Sequence, residues 1–434
     1  MANISIKKAL RDPLYRNSLI FFIGSFVASF LGYLYHLAMG RLLVPSDYGI
    51  VASLLTVFLL LSVITTTILT VVMKYTAKYQ AQNRLAAINC ISRRMGLYAL
   101  ILGGIVTGTF IICSRWFSNF LNIDSVFPIL AISGVFIFVF TTAVFRGILQ
   151  GLQRFKALSA TLVIEAGVKL LTGIALVLLG FYVLGAVAAL VLAAAMGLLS
   201  ARWFVRRWRQ KNNVKGEAEI DLRGMLIYSI PVLVFLLITT LLYNVDMIMV
   251  KHYFAGVDAG YYAALSQLGK IIVFGTVAIA GVMFPMVAQK FEKREEFRGV
   301  LWRAIGIVSL LSIIAVAIYF LAPNFVIGLL YGSEYLSVAS LLGYIAIFMG
   351  LYSIINVLVQ FFMSIKNYGA LYPLIAGSIA QIILIVLFHE SLFQVILVMD
   401  ISMAATATAL FAYYGFYSKK LKGIKRTISS GAGI

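Results

Sequence analysis

Long apolar runs, each about one bilayer thick, alternate with short polar stretches along the whole chain. A spanning helix needs about 20 mostly apolar residues. Twelve runs qualify. The first six cover 17–40, 49–73, 95–113, 126–148, 157–180 and 183–204. The second six cover 225–247, 261–288, 304–326, 338–363, 369–388 and 395–417. The fifth and sixth are separated by very little. The fold class this predicts is all-α and polytopic, with twelve transmembrane helices. The polar stretch 202–223 divides them into two six-helix bundles, 1–210 and 211–434. Connections are short, and none is long enough for a folded catalytic domain. The first run follows a basic segment, Met1 to Arg16, and is too long for a signal-peptide core; it reads as an uncleaved first span.

Charge tests the span count. Cytoplasmic loops of membrane proteins collect Lys and Arg. With both termini in the cytoplasm, 30 of the 35 basic residues fall on the inner side. Three fall outside (Arg41, Arg115 and Lys251), and two, Lys169 and Lys270, fall within spans. The same orientation puts Cys90 inside and Cys113 outside, so they should not pair.

Composition agrees. The 434 residues are 62% apolar and 12% charged, with 35 Lys and Arg against 15 Asp and Glu, and mean hydropathy is +1.01. Soluble proteins carry about 45–50% apolar and about 25% charged residues. A soluble enzyme, a disordered chain and a nucleic-acid-binding domain are excluded. The basic excess of +20 has its cause in the inner loops, not in nucleic acid. There is no metal-ligand spacing, Gly-rich phosphate loop or nucleophile motif, so no metal, cofactor or enzymatic activity is expected. The longest polar segments are 74–94 and 202–223. The second sets Arg202, Arg206, Arg207, Arg209 and Lys211 among Trp203 and Trp208. That is the pattern of an interfacial anchor facing lipid phosphates.

The two halves resemble each other. At a shift of 211 residues, Asp47-Tyr48-Gly49 falls on Asp258-Ala259-Gly260, each just before a span. Val71 falls on Val282 and Ala77 on Ala288. At a shift of 213, Arg154 to Leu158 falls on Asn367 to Leu371. An even number of spans per half gives both halves one orientation, a parallel repeat of the kind transporters use.

Three stretches carry a family resemblance: Gly40-Arg41 with Val44 to Gly49 after the first span, Gly147 to Lys156 after the fourth, and Asp246 with Gly256 to Tyr262 at the seventh-to-eighth junction. Over nearly its whole length the chain resembles the polysaccharide-type flippases of the multidrug/oligosaccharidyl-lipid/polysaccharide (MOP) exporter superfamily, to which the MATE transporters also belong. The resemblance implies a V of two bundles around a central cavity and alternating access. It also implies export of lipid-linked sugars across the cytoplasmic membrane for cell-surface polysaccharide. A polysaccharide polymerase is a candidate partner. The two extra spans usual in lipid II flippases are absent from the pattern.

An ionisable group inside the bilayer costs roughly 2.5–3.5 kcal/mol and usually faces a cavity or a partner. Four positions qualify: Glu165, Lys169, Lys270 and Asp400. At 1.5 Å per residue, Lys169 lies roughly 18 Å from the inner end of its span and Lys270 roughly 14 Å from the outer end of its own. Both are near the midplane. Glu165 and Lys169 are four apart on one helix face, so one reading is a self-neutralising pair. Lys270 has a matching bland reading, snorkelling or pairing with Asp400 or Glu165. The functional reading is that these lysines dress the phosphate of a lipid-linked sugar. Ser266 and Gln267, within a turn of Lys270, would then bind sugar hydroxyls or phosphate oxygens. Arg146 and Arg41 stand at the inner and outer mouths. Asp246 and Asp400 are candidates to bind a coupling proton or sodium ion. Tyr33, Tyr35, Tyr243, Tyr261 and Tyr262 read as an outer aromatic belt. The competing function is a cation-coupled exporter of small drugs.

Overall fold

The computed structural model describes residues 13–212, 219–254, 256–293, 295–365 and 367–429. Lys366 and the basic residues before Pro13 and at 215 and 294, all counted on the inner side above, lie outside them. Among the described residues there is no strand, and eleven helical stretches are long and apolar enough to cross a membrane.

The first half contains α1 (Pro13–Leu42), α2 (Pro45–Ala81), α3 (Leu85–Ile112), α4 (Phe127–Gly151), α5 (Phe155–Leu176) and α6 (Tyr182–Lys211). The stretch from Phe155 to Lys211 runs 57 residues as one helical run, yet it makes two crossings. It turns back through a π-turn at Val177–Phe181, where Gly180 takes φ +89°, a value open chiefly to glycine. Contacts then pair Leu176 with Gly185, Gly173 with Ala189 and Glu165 with Gly197, the register of an antiparallel hairpin. The reversal lies close to where the fifth and sixth runs are divided in the sequence.

The second half contains α7 (Leu222–Leu242), α8 (Val245–Tyr253), α9 (Val257–Glu292), α10 (Arg298–Leu321), α11 (Ser333–Ser364), α12 (Tyr368–Leu387) and α13 (Leu392–Ser429). Here the expectation of one continuous helix over 225–247 is corrected. The seventh span is broken at Tyr243-Asn244. Asn244 leaves helical geometry at φ −133°, and its amide donates back to the Thr240 carbonyl at 3.0 Å. Such a side chain competes with the backbone for its own hydrogen bonds, which leaves two residues between the end of α7 and the start of α8.

Internal contacts divide the residues into two units. Unit 1 is Met1–Leu237 with Ala255–Gly260; unit 2 is Ile238–Phe254 with Tyr261–Ile434. Helices inside a membrane gain little from burying apolar surface against one another, so close packing depends on small residues and interhelical hydrogen bonds. In unit 1, Gly103 of α3 rests on the Phe136–Ile137 backbone, and Gly147 and Gly151 of α4 rest on α2 at Val72 and Thr76. The Thr107 hydroxyl donates to the Ser133 carbonyl at 2.7 Å. The short 255–260 segment joins unit 1 because the Gly260 backbone lies directly on Pro45. In unit 2, Gly377 of α12 seats Thr406 of α13, the Thr276 hydroxyl donates to Ser353 at 2.9 Å, and Tyr319 donates to the Leu268 carbonyl at 3.0 Å. Large apolar side chains such as Leu171, Leu178 and Leu179 point outward, as a lipid-facing surface requires.

Candidate functional site: buried charges in both units

In unit 1, α4, α5 and α6 bring Arg146, Glu165 and Lys169 to one cavity of about 200 Å³, which α1 also lines with His36. The Glu165–Lys169 ion pair, one of the two readings above, does not form, although the Glu165 charge still acts on Lys169. Arg146 takes the carboxylate instead, at 2.6 Å. The same guanidinium donates to the Thr161 hydroxyl at 3.1 Å and to the Thr161 carbonyl at 2.9 Å. A planar fork reaching three acceptors from a crossing helix outcompetes a flexible ammonium one turn along the same helix. Arg146 therefore lines this cavity beside Glu165. Gly197 of α6 makes room: a Cβ there would fall on the Glu165 carboxylate and 3.5 Å from the guanidinium.

Lys169 also lines the cavity and has no ion pair among the described residues. Its ammonium sits 4.9 Å from the centre of the Tyr35 ring, a cation–π contact. Tyr35 is wholly buried and donates to the Ala186 carbonyl at 2.9 Å, so it is a structural partner of Lys169 and not a belt residue. Arg41 stays exposed at the end of α1, apart from this group.

In unit 2, the break in the seventh span organises the polar groups. Lys270 of α9 is buried and donates to the Asn244 side chain at 3.0 Å, with the Tyr243 ring 5.8 Å away. It does not pair with Asp400; the carboxylate whose charge it feels is Asp246. Asp246 stands in the first turn of α8, where a half-helix presents its positive end. Tyr262, another residue read as belt, is wholly buried and donates to Asp246 at 2.6 Å and to the Met399 sulfur at 3.4 Å. The charge of Asp400 also acts on Tyr262.

Several buried polar atoms of unit 2 have no hydrogen-bond partner among the described residues. They are one oxygen each of Asp246 and Asp400, the Ser266 hydroxyl and both amide atoms of Gln381. Gln381 lies on α12 one turn beyond Gly377 and is fully buried. Gln267, next to Ser266 in α9, is also buried. Asn244 and Gln381 carry no charge and went unread in the sequence. Lys251, counted among outer-loop charges, is almost completely buried in α8.

A broken span beside a buried cation and acids is an arrangement that membrane transporters use. The chain belongs to the polysaccharide biosynthesis protein family, whose model matches residues 14–291, more than half of its length. No curated protein sequence matches it. Its fold is similar to that of a multidrug resistance MATE-family transporter of the MOP superfamily in an inward-facing conformation (TM-score 0.77, 16% identity, covering 91% of this chain and 95% of that one). It is also similar to the lipid II flippase MurJ in an inward closed conformation (TM-score 0.72, 16% identity, 92% and 87% covered). A third similar structure is a MOP-superfamily transporter from Pyrococcus furiosus, for which a reversed polarity of the binding pocket suggests a different function (TM-score 0.68, 19% identity, 96% and 98% covered).

Proposed function

We propose that this chain is a flippase of the cytoplasmic membrane. It moves an oligosaccharide linked to an isoprenoid phosphate or diphosphate from the inner to the outer leaflet, by alternating access, for cell-surface polysaccharide synthesis. The observation that carries this reading is the charge left over in the unit 1 cavity. Glu165 is bonded by Arg146, so Arg146, Lys169 and the one carboxylate between them leave the cavity one positive charge in excess. A phosphate entering hydrocarbon loses its hydration at large cost. A fixed ammonium in a polar cavity replaces part of that hydration. Lys270 offers a second cation, bonded to the Asn244 amide and under the charge of Asp246. Membership of the polysaccharide biosynthesis family and likeness to a lipid II flippase support the substrate class.

Energy coupling fits unit 2. Asp246 and Asp400, each with an oxygen lacking a described partner, would take a proton or a sodium ion. A downstream polymerase would receive the flipped repeat unit.

The test is transport of a lipid-linked oligosaccharide into reconstituted vesicles, read by a membrane-impermeant sugar-modifying reagent. Wild type exposes the sugar, while Lys169→Gln and Lys270→Ala lose at least about tenfold in rate, the effect of one lost charge-assisted contact to phosphate. Complementation of a strain lacking its flippase should fail with Lys270→Ala at normal membrane levels. Full activity of both variants would sink the reading. The likeness to MATE transporters, together with the buried acids, favours a cation-coupled drug exporter as second reading. Drug hypersensitivity of a deletion strain, with unchanged surface polysaccharide, would decide for it.

A further inference from the structure

A separate basic pocket lies in unit 1, outside the cavity that holds Lys169. It has a volume of about 800 Å³ and is lined by α3, α4 and α6. The charge bias assigns this end of the unit to the cytoplasmic face. Arg202, Arg206 and Arg209 of α6 line it at spacings of four and three, one helix face. Arg93 lines it from α3, on a π-turn at Ile91–Met95, a distortion that gathers at functional sites. No Asp or Glu lines the pocket, and no described acid pairs with Arg202, Arg206 or Arg209. Gly96 sits in its wall, buried, with open space where a Cβ would stand. Leu97 and Leu100 continue the wall with exposed apolar side chains toward the membrane interior.

We propose that this pocket binds an inner-leaflet lipid whose headgroup carries two phosphates. The three α6 guanidiniums spread over roughly 10 Å along the axis, more than one phosphate can cover. Guanidinium forks match phosphate oxygens in bidentate geometry. The lipid chains lie along Leu97 and Leu100, and the phosphates meet the arginines where the bilayer ends. Two lipids share this chemistry. One is a resident diphosphatidylglycerol; the other is a polyprenyl diphosphate, held before or between transport cycles. The inference does not depend on the cargo assignment above, because the pocket is distinct from the cavity of Lys169.

The experiment uses the purified full chain in detergent, stripped of lipid. Native mass spectrometry and thermal shift are recorded with diphosphatidylglycerol, phosphatidylglycerol, a polyprenyl diphosphate, the matching monophosphate and inorganic diphosphate. A two-phosphate lipid should bind at least about tenfold more tightly than its one-phosphate counterpart, given the doubled number of charge-assisted contacts. The Arg202→Gln/Arg206→Gln/Arg209→Gln variant should lose that preference. Gly96→Leu should lose it too by filling the pocket with every arginine in place, and it remains decisive where the triple variant does not fold. Preference for diphosphatidylglycerol identifies a resident phospholipid; preference for the polyprenyl diphosphate identifies a transport lipid. Equal binding of one- and two-phosphate lipids, binding of inorganic diphosphate alone, or wild-type binding by Gly96→Leu overturns the proposal.

Discussion

Single residues in this protein are defined by which partner wins them. Glu165 has two cationic candidates, and the one on the crossing helix takes it. Arg146→Lys should therefore not substitute for Arg146. A lysine keeps the charge but cannot reach the carboxylate and both Thr161 acceptors together. We expect the variant to lose about 1–3 kcal/mol of stability, the range for hydrogen bonds to charged groups, measurable as lowered denaturation temperature in detergent. Gly197→Ala tests the same arrangement from the third helix, since its methyl displaces the carboxylate. If Gly197→Ala unfolds at the wild-type temperature, the tight arrangement of the three helices is wrong. Asn244→Ala removes the acceptor of a buried ammonium and should cost about 1–3 kcal/mol, with Asn244→Asp restoring a partner.

Among the helices, the informative features are interruptions. The Phe155–Lys211 run is long enough to be mistaken for one rod, and Gly180 at φ +89° and Tyr182 at φ +38° fold it back. Gly180→Val should cost at least about 1–2 kcal/mol, because a β-branched side chain is penalised at positive φ. Loss of protein from the membrane fraction, or a lowered unfolding temperature, is the readout; an unchanged protein would mean the reversal tolerates another backbone. In the seventh span the interruption puts Asp246 on a helix N-terminus and Asn244 against Lys270. A continuous helix would have turned these groups to different faces. The crossing of Gly260 on Pro45 is equally unforgiving, since a side chain there would overlap the proline carbonyl.

For the whole molecule the prediction concerns sidedness. Charge distribution puts the α6 end inside and the end of α3 outside. Cys113, partly exposed at the end of α3, should react with an impermeant maleimide in intact cells. An introduced Asn212→Cys, exposed at the end of α6, should react only after permeabilisation. The reverse pattern would invert every statement here about inner and outer leaflets.

The sequence by itself determined the medium and the number of crossings, because hydrophobic length and loop charge are local properties that lipid reads directly. It also marked Lys169, Lys270, Glu165 and Asp400 as groups that hydrocarbon would not accept without compensation. What compensates them only the tertiary structure decided. Arg146 and Glu165 are 19 residues apart and Lys270 and Asn244 are 26 apart, so helical spacing says nothing of either pair. Tyr35 and Tyr262 look like interfacial aromatics until packing buries them beside charges. Asn244 and Gln381 are neutral amides, invisible to a search for charge, and their importance arises from where the folded chain leaves them.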